Sequence, residues 1–172
     1  MKKLLVVCAA ATIYGCASMG MGGDGPKAVA KLEATKGNTA TGTVTFTQDG
    51  DKVAVNAQVS GLKPGSTHGF HVHEKGDCSS GDGMSTGGHF NPFGKPHGPQ
   101  SGEHHGGDMP SLVADANGNA SAKFELSGVS VGSGPGDLVG KGLIVHANPD
   151  DYTTQPTGNA GGRIACGVIA KS

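Results

Sequence analysis

The chain has 172 residues, room for one domain with a real core after a short leader. Glycine accounts for 32 of them without a G-X-Y period, which excludes collagen, and tryptophan is absent, so the core must be built from small aliphatic and β-branched side chains. Thirteen basic against fourteen acidic residues leave a formal charge of −1, and nothing in the chain gives nucleic-acid binding an electrostatic basis.

Residues 1–15 read as a signal peptide: Lys2 and Lys3 precede an apolar run from Leu4 to Ile13, too short to span a bilayer as a helix. The run ends in Ile13-Tyr14-Gly15-Cys16, which resembles a bacterial lipoprotein cleavage site with Cys16 as the lipid-bearing residue, although Tyr14 is larger than usual at its position. An ordinary signal cut nearby, with Cys16 discarded, is the alternative. Either cut removes Lys2 and Lys3 and takes the formal charge from −1 to −3. Residues 16–26 form a glycine-rich tether to a domain at 27–172, and Met19 and Met21 within it read as linker rather than as copper ligands. With Cys8 in the leader and Cys16 under lipid, Cys78 and Cys166 remain as one pair in an exported, oxidising compartment, either bridged or as two buried thiols.

Beyond the tether the chain alternates apolar and polar residues in short segments. Lys27 to Lys36 carries Val29 and Leu32, Thr43 to Thr47 puts Val44 and Phe46 on one face, and Lys52 to Ser60 puts Val53, Val55, Ala57 and Val59 on one face. Thr67 to Glu74, Leu112 to Ala114, Ala120 to Leu126, Leu143 to His146 and Ile164 to Ala170 complete the set. Turn signals lie at Gln48-Asp49-Gly50 and Asn117-Gly118. No segment shows a sustained helical period, and eight or so short strands predict an antiparallel sandwich or barrel. Two long stretches break the pattern, Gly76 to Pro110 and Ala147 to Gly162. A loop as long as the first is usually functional or disordered.

The first stretch holds His89, His97, His105 and Asp108. His71 and His73 lie two apart on a strand and so project from one face, with Val72 turned into the core, and His146 ends another strand. Neutral imidazole is the commonest ligand for zinc and copper. Two four-coordinate ions need eight positions, and these seven side chains fill them only if one histidine uses both ring nitrogens. The pattern therefore predicts a two-metal site. His68 is expected at the surface. His104 is the one-residue competitor of His105.

These residues resemble the copper/zinc superoxide dismutases, bacterial exported branch. The matches are Gly69-Phe70-His71-Val72-His73-Glu74, Gly88-His89-Phe90-Asn91-Pro92, His97-Gly98-Pro99, His105-Gly106-Gly107-Asp108, Val145-His146 and Gly158 through Val168 (G-N-A-G-G-R-I-A-C-G-V), in family order. The resemblance implies an eight-stranded antiparallel Greek-key sandwich or barrel with long metal-binding and electrostatic loops. It implies one copper on His71, His73, His89 and His146 and one zinc on His89, His97, His105 and Asp108, with His89 shared. The implied reaction turns two superoxide anions into dioxygen and hydrogen peroxide at a redox-cycling copper, while zinc polarises His89, which passes a proton. Arg163, the single arginine of the chain, would guide the anion. Asp150, rather than Asp151, would accept hydrogen bonds from His71 and His97. A Cys78–Cys166 bridge would hold the metal loop near Arg163.

Two departures from animal members stand out. Tyr152 to Gly162 carries no charge, leaving Lys75 or Lys95 as further candidates for steering, and the stretch from Cys78 to His89 is longer, as in bacterial members. The resemblance allows a monomer or a homodimer. The expected location is periplasmic, or on the outer membrane through the lipid on Cys16. A periplasmic copper and zinc store or scavenger on the same fold is the alternative, and it gives Arg163 no task. A surface module stabilised by zinc alone would leave His71 and His73 without one.

Overall fold

The computed structural model describes residues 25–172; the leader, Cys16 and most of the tether, with Met19 and Met21, lie outside the described residues. Nine strands follow in order: β1 (Lys27–Ala34), β2 (Thr41–Asp49), β3 (Lys52–Ser60), β4 (Thr67–His68), β5 (Phe70–His73), β6 (Leu112–Val113), β7 (Ala120–Ser127), β8 (Gly142–His146) and β9 (Arg163–Lys171). A 3₁₀ turn at Met84–Thr86 is the only helical element among the described residues.

Seven strands form one antiparallel sheet in the order β5-β8-β9-β1-β2-β3-β7, and β4 pairs with β6 in a second. Strands β1, β2 and β3 follow one another as hairpins and β9 returns beside β1, a Greek-key arrangement. Strand β4 runs into β5 at one end of the large sheet, and β6 leads through the Asp115 to Asn119 turn into β7 at the other. The small sheet thus spans the two ends and rolls the array into a flattened barrel.

Each of the eight predicted segments contains a strand, and the ninth strand arises inside Thr67 to Glu74. Gly69 interrupts that segment: its N–H donates to the Asn148 carbonyl (2.8 Å) and its carbonyl accepts from His146 N–H (2.8 Å). A Cβ there would come within 2.8 Å of Ala160 Cβ. The chain consequently changes partners at Gly69, from β6 to β8.

Side-chain alternation builds the core. Val53, Val55, Ala57 and Val59 of β3 are buried, while Lys52, Asn56, Gln58 and Ser60 face out. Val44 and Phe46 of β2 lie opposite Ala57 and Val55 in register and are wholly buried. Each such side chain contributes roughly 1.5–3 kcal/mol by leaving water. Strand β1 separates Val29 from Leu32. Residues three apart on a strand point to opposite faces, and Ala28, Ala30 and Leu32 are the inward set while Val29 is half-buried on the other face.

The two long loops lie against one side of the barrel. Cys78 and Cys166 are bridged (S–S 2.04 Å), tying the metal loop to β9 across 88 residues. By the loop-closure estimate such a link stabilises by roughly 4–5 kcal/mol.

Candidate metal centre

The metal loop is laid along the free edge of β5. Val72 N–H donates to the Gly107 carbonyl, Phe90 N–H to the Val72 carbonyl and Gly107 N–H to the Phe90 carbonyl, each at 2.8 Å. This pairing sets Asp108 opposite His71 and His89 opposite His73. His146 enters from the end of β8, where a register irregularity after Val145 brings it opposite Arg163. Val72, between the paired histidines, points into the core and is wholly buried.

Two sets of donors result. His71, His73, His89 and His146 form one; His89, His97, His105 and Asp108 form the other. Within each set the donor atoms lie within 4.8 Å of one another, and all seven residues are buried. A buried imidazole normally satisfies both ring nitrogens. Here His71 Nδ1, His89 Nε2, His97 Nδ1 and His105 Nδ1 have no hydrogen-bond partner. His89 belongs to both sets: Nδ1 lies 2.8 Å from Asp108 Oδ1, and Nε2 is left for the other side.

The outer nitrogen of several rings is held from behind. His71 Nε2 donates to Asp150 Oδ2 (2.7 Å) and His97 Nε2 to Asp150 Oδ1 (2.9 Å). His73 Nδ1 donates to the Gly87 carbonyl (2.9 Å) and His146 Nδ1 to the Gly161 carbonyl (3.1 Å). Such bonds fix the tautomer and leave the inner nitrogen a lone pair. Asp108 is oriented by His105 N–H (2.9 Å) and Gly98 N–H (3.2 Å) on Oδ2, so that Oδ1 faces the rings of His89, His97 and His105.

Electrostatics favours the neutral, ligating form at His71, His73 and His146. Burial pushes His71 down to about 4, against the pull of Asp150, and pushes His73 to about 2 and His146 to about 3. All three rings are neutral at pH 7. Burial also opposes charge on His97, but the carboxylates of Asp108 and Asp150 outweigh it and raise that ring to about 9. Burial would raise Asp108, yet the rings of His89 and His97 hold it well below the usual carboxylate range. The unpartnered inward nitrogens and the donor chemistry fit two metal ions. Four nitrogens suit copper(II), and three imidazoles with a carboxylate suit zinc.

Arg163 lies at the margin of the first set. Its Nη1 donates to the Gly83 carbonyl (2.7 Å) and Thr86 Oγ1 (2.6 Å), and Nη2 to the Gly87 carbonyl (2.7 Å). Among the described residues it forms no ion pair. Its positive charge is felt at His73 and His146, where it disfavours protonation. Lys95, a candidate for steering, is tied to Glu103 (2.7 Å) at the surface, while Lys75 is exposed.

Three residues near the centre, His68, His104 and Asp151, stand outside both donor sets. His68 is buried, not at the surface: Nδ1 donates to the His146 carbonyl (2.8 Å) and Nε2 lies 2.6 Å from Ser66 Oγ. It sits just before the break at Gly69, where the chain turns beneath His146, so a polar ring there supports backbone. His104 turns away from the donor set and donates through Nδ1 to the His105 carbonyl (2.7 Å). Asp151 caps its own loop through Thr153 and Thr154 and stays outside the centre.

Sequence reasoning missed Gly158. It holds φ +65°, and a Cβ there would collide with Asp150 Oδ1 and His97 Nε2. A G-N-A-G-G run signals a special backbone but not which carboxylate it packs against.

Residues 40–169 match the family model for copper/zinc superoxide dismutase (SODC). A crystal structure of the clock protein EA4 is similar to this chain at a TM-score of 0.77 and 42% sequence identity, over 88% of this chain and 99% of that one. With most of its length matched, both donor sets included, the chain belongs to the copper/zinc superoxide dismutase family.

Proposed function

We propose that the protein dismutes superoxide, with copper on His71, His73, His89 and His146 and zinc on His89, His97, His105 and Asp108. Bound copper supplies a one-electron couple that oxidises one superoxide to dioxygen and reduces a second, with two protons, to hydrogen peroxide, and bound zinc supplies a fixed positive charge. The chain's own part begins with Arg163, whose guanidinium draws the anion toward the four-histidine set. His89 can hold a proton at Nε2 and release it beside the substrate, while Nδ1 stays in the second set. Asp150 keeps the rings of His71 and His97 in one tautomer.

The observation that carries this reading is Arg163: a cation without an ion-pair partner among the described residues, pinned beside the four-histidine set. A store for copper and zinc accounts for the donors and leaves that arginine without a task. The test is metal content together with superoxide consumption. The enzyme consumes superoxide with one copper and one zinc per chain, and Arg163→Ala lowers its rate roughly tenfold or more and flattens its salt dependence while copper is retained. One copper and one zinc without activity sink the enzyme and leave the store.

The proposal extends to an exported protein, periplasmic or outer-membrane-anchored through lipid on Cys16. Supporting it are the basic-then-apolar leader before Cys16 and the Cys78–Cys166 bridge, a bond that persists in oxidising compartments. The full chain should partition into detergent and Cys16→Ser into water. Equal partitioning removes the anchor.

A further inference from the structure

The stretch from Tyr152 to Gly162 carries no charge, yet it grips the metal loop at points well apart in the chain. The Tyr152 hydroxyl accepts from Ser111 N–H (2.8 Å) and lies 3.0 Å from Ser111 Oγ, where the metal loop ends. Gln155 accepts from His97 N–H through Oε1 and donates to the His97 carbonyl through Nε2, both at 2.8 Å. A side-chain amide here copies the paired bonds of an antiparallel bridge, and the residue it holds is a metal donor.

Tyr152 adds a second observation. Its φ is 57°, in the left-handed region that non-glycine residues avoid. Such a conformation persists where its surroundings hold it, and it often marks a functional position. Its effect here is to aim Tyr152 N–H at Asp150 Oδ1, 2.7 Å away. Asp150 Oδ1 therefore takes His97 and Tyr152 N–H, and Oδ2 takes His71. The phenol anchored on Ser111 and the amide clamped on His97 hold the two ends of one short span.

We propose that Tyr152 and Gln155 are positioning residues that latch the 147–162 loop onto the metal loop and preset His97 and Asp150 for metal at the second donor set. They act through His97 and Asp150, not on the metal. A donor held in place before binding loses less freedom when metal arrives. The inference rests on the proposed reading of that set as the zinc site.

The test uses the full chain stripped of metal. Cobalt(II) is the spectroscopic probe of the second set, and zinc affinity is measured against a chromophoric chelator. Tyr152→Phe, which removes one oxygen, and Gln155→Ala should each weaken zinc several-fold. The double variant should weaken it on the order of 10–100-fold, with cobalt absorption bands shifted or weakened as the tetrahedral geometry relaxes. Gln155→Glu keeps the acceptor for His97 N–H and should recover part of the affinity lost in Gln155→Ala. A double variant that binds zinc within about twofold of wild type, with unchanged cobalt bands, overturns the latch. Where the double variant fails to fold, the two single variants are judged by the same spectra. A wild-type chain that takes up neither cobalt nor zinc overturns the zinc reading as well, which separates the two failures.

Discussion

Strands β2 and β3 keep their places by burying Val44, Phe46, Val53, Val55, Ala57 and Val59 against the opposite wall of the barrel. The metal loop from Glu74 to Ser111 has few such side chains, chiefly Phe90 and Met109. It is held instead by the Cys78–Cys166 bridge, by pairing with the edge of β5 and by inward-facing imidazoles. One region is ordered by apolar area, which needs only the right period. The other is ordered by point contacts, each needing a particular atom in a particular place. Changes in the barrel should therefore alter stability and spare metal content, and changes in the loop should do the reverse.

The largest expected effect comes from His89→Ala, which removes the one ring shared by both donor sets. Elemental analysis should show both metals depleted and superoxide consumption lost, whereas Asp108→Ala should deplete mainly zinc. Retention of both metals by His89→Ala would break the comparison. Phe46→Ala comes next. It empties a wholly buried position and should cost about 3–5 kcal/mol in denaturant unfolding, with metal per folded chain unchanged. Third is Gly158→Ala, whose Cβ has no room beside Asp150 and His97 and whose φ of +65° disfavours any side chain. Zinc affinity should fall roughly 10–100-fold by chelator competition, with the metal-free melting temperature changing far less than in Phe46→Ala. The smallest effect belongs to Lys52→Ala. The Lys52–Glu125 pair (2.8 Å) is exposed across β3 and β7, so neither the unfolding midpoint nor metal content should move measurably.

The same contrast governs what could be read from the sequence. Alternation located every strand of the barrel, because period two is imposed on each residue of a half-buried strand. It gave no sign that Gly69 splits a strand between two partners, a change that depends on contacts made far along the chain. At the site, residue type and spacing singled out the seven donors, since few other tasks use six buried histidines and an aspartate. The supports behind them were mostly silent. Gln155, Tyr152 and Gly158 are ordinary loop residues until folding sets them against His97 and Asp150, and His68 was unreadable because its partner is a backbone carbonyl 78 residues away.

Arg163 carries five N–H donors, of which three are committed to Gly83, Thr86 and Gly87. Two remain, on Nε and Nη2. A flexible arginine must freeze its torsions when an anion arrives, and that ordering is subtracted from every encounter. In this chain the freezing happens once, at folding, and neutral acceptors accomplish it. The guanidinium therefore keeps its whole charge while losing its freedom to swing. Substitutions at Thr86, which belongs to neither donor set, should thus show up as a looser arginine long before they show up as a looser fold.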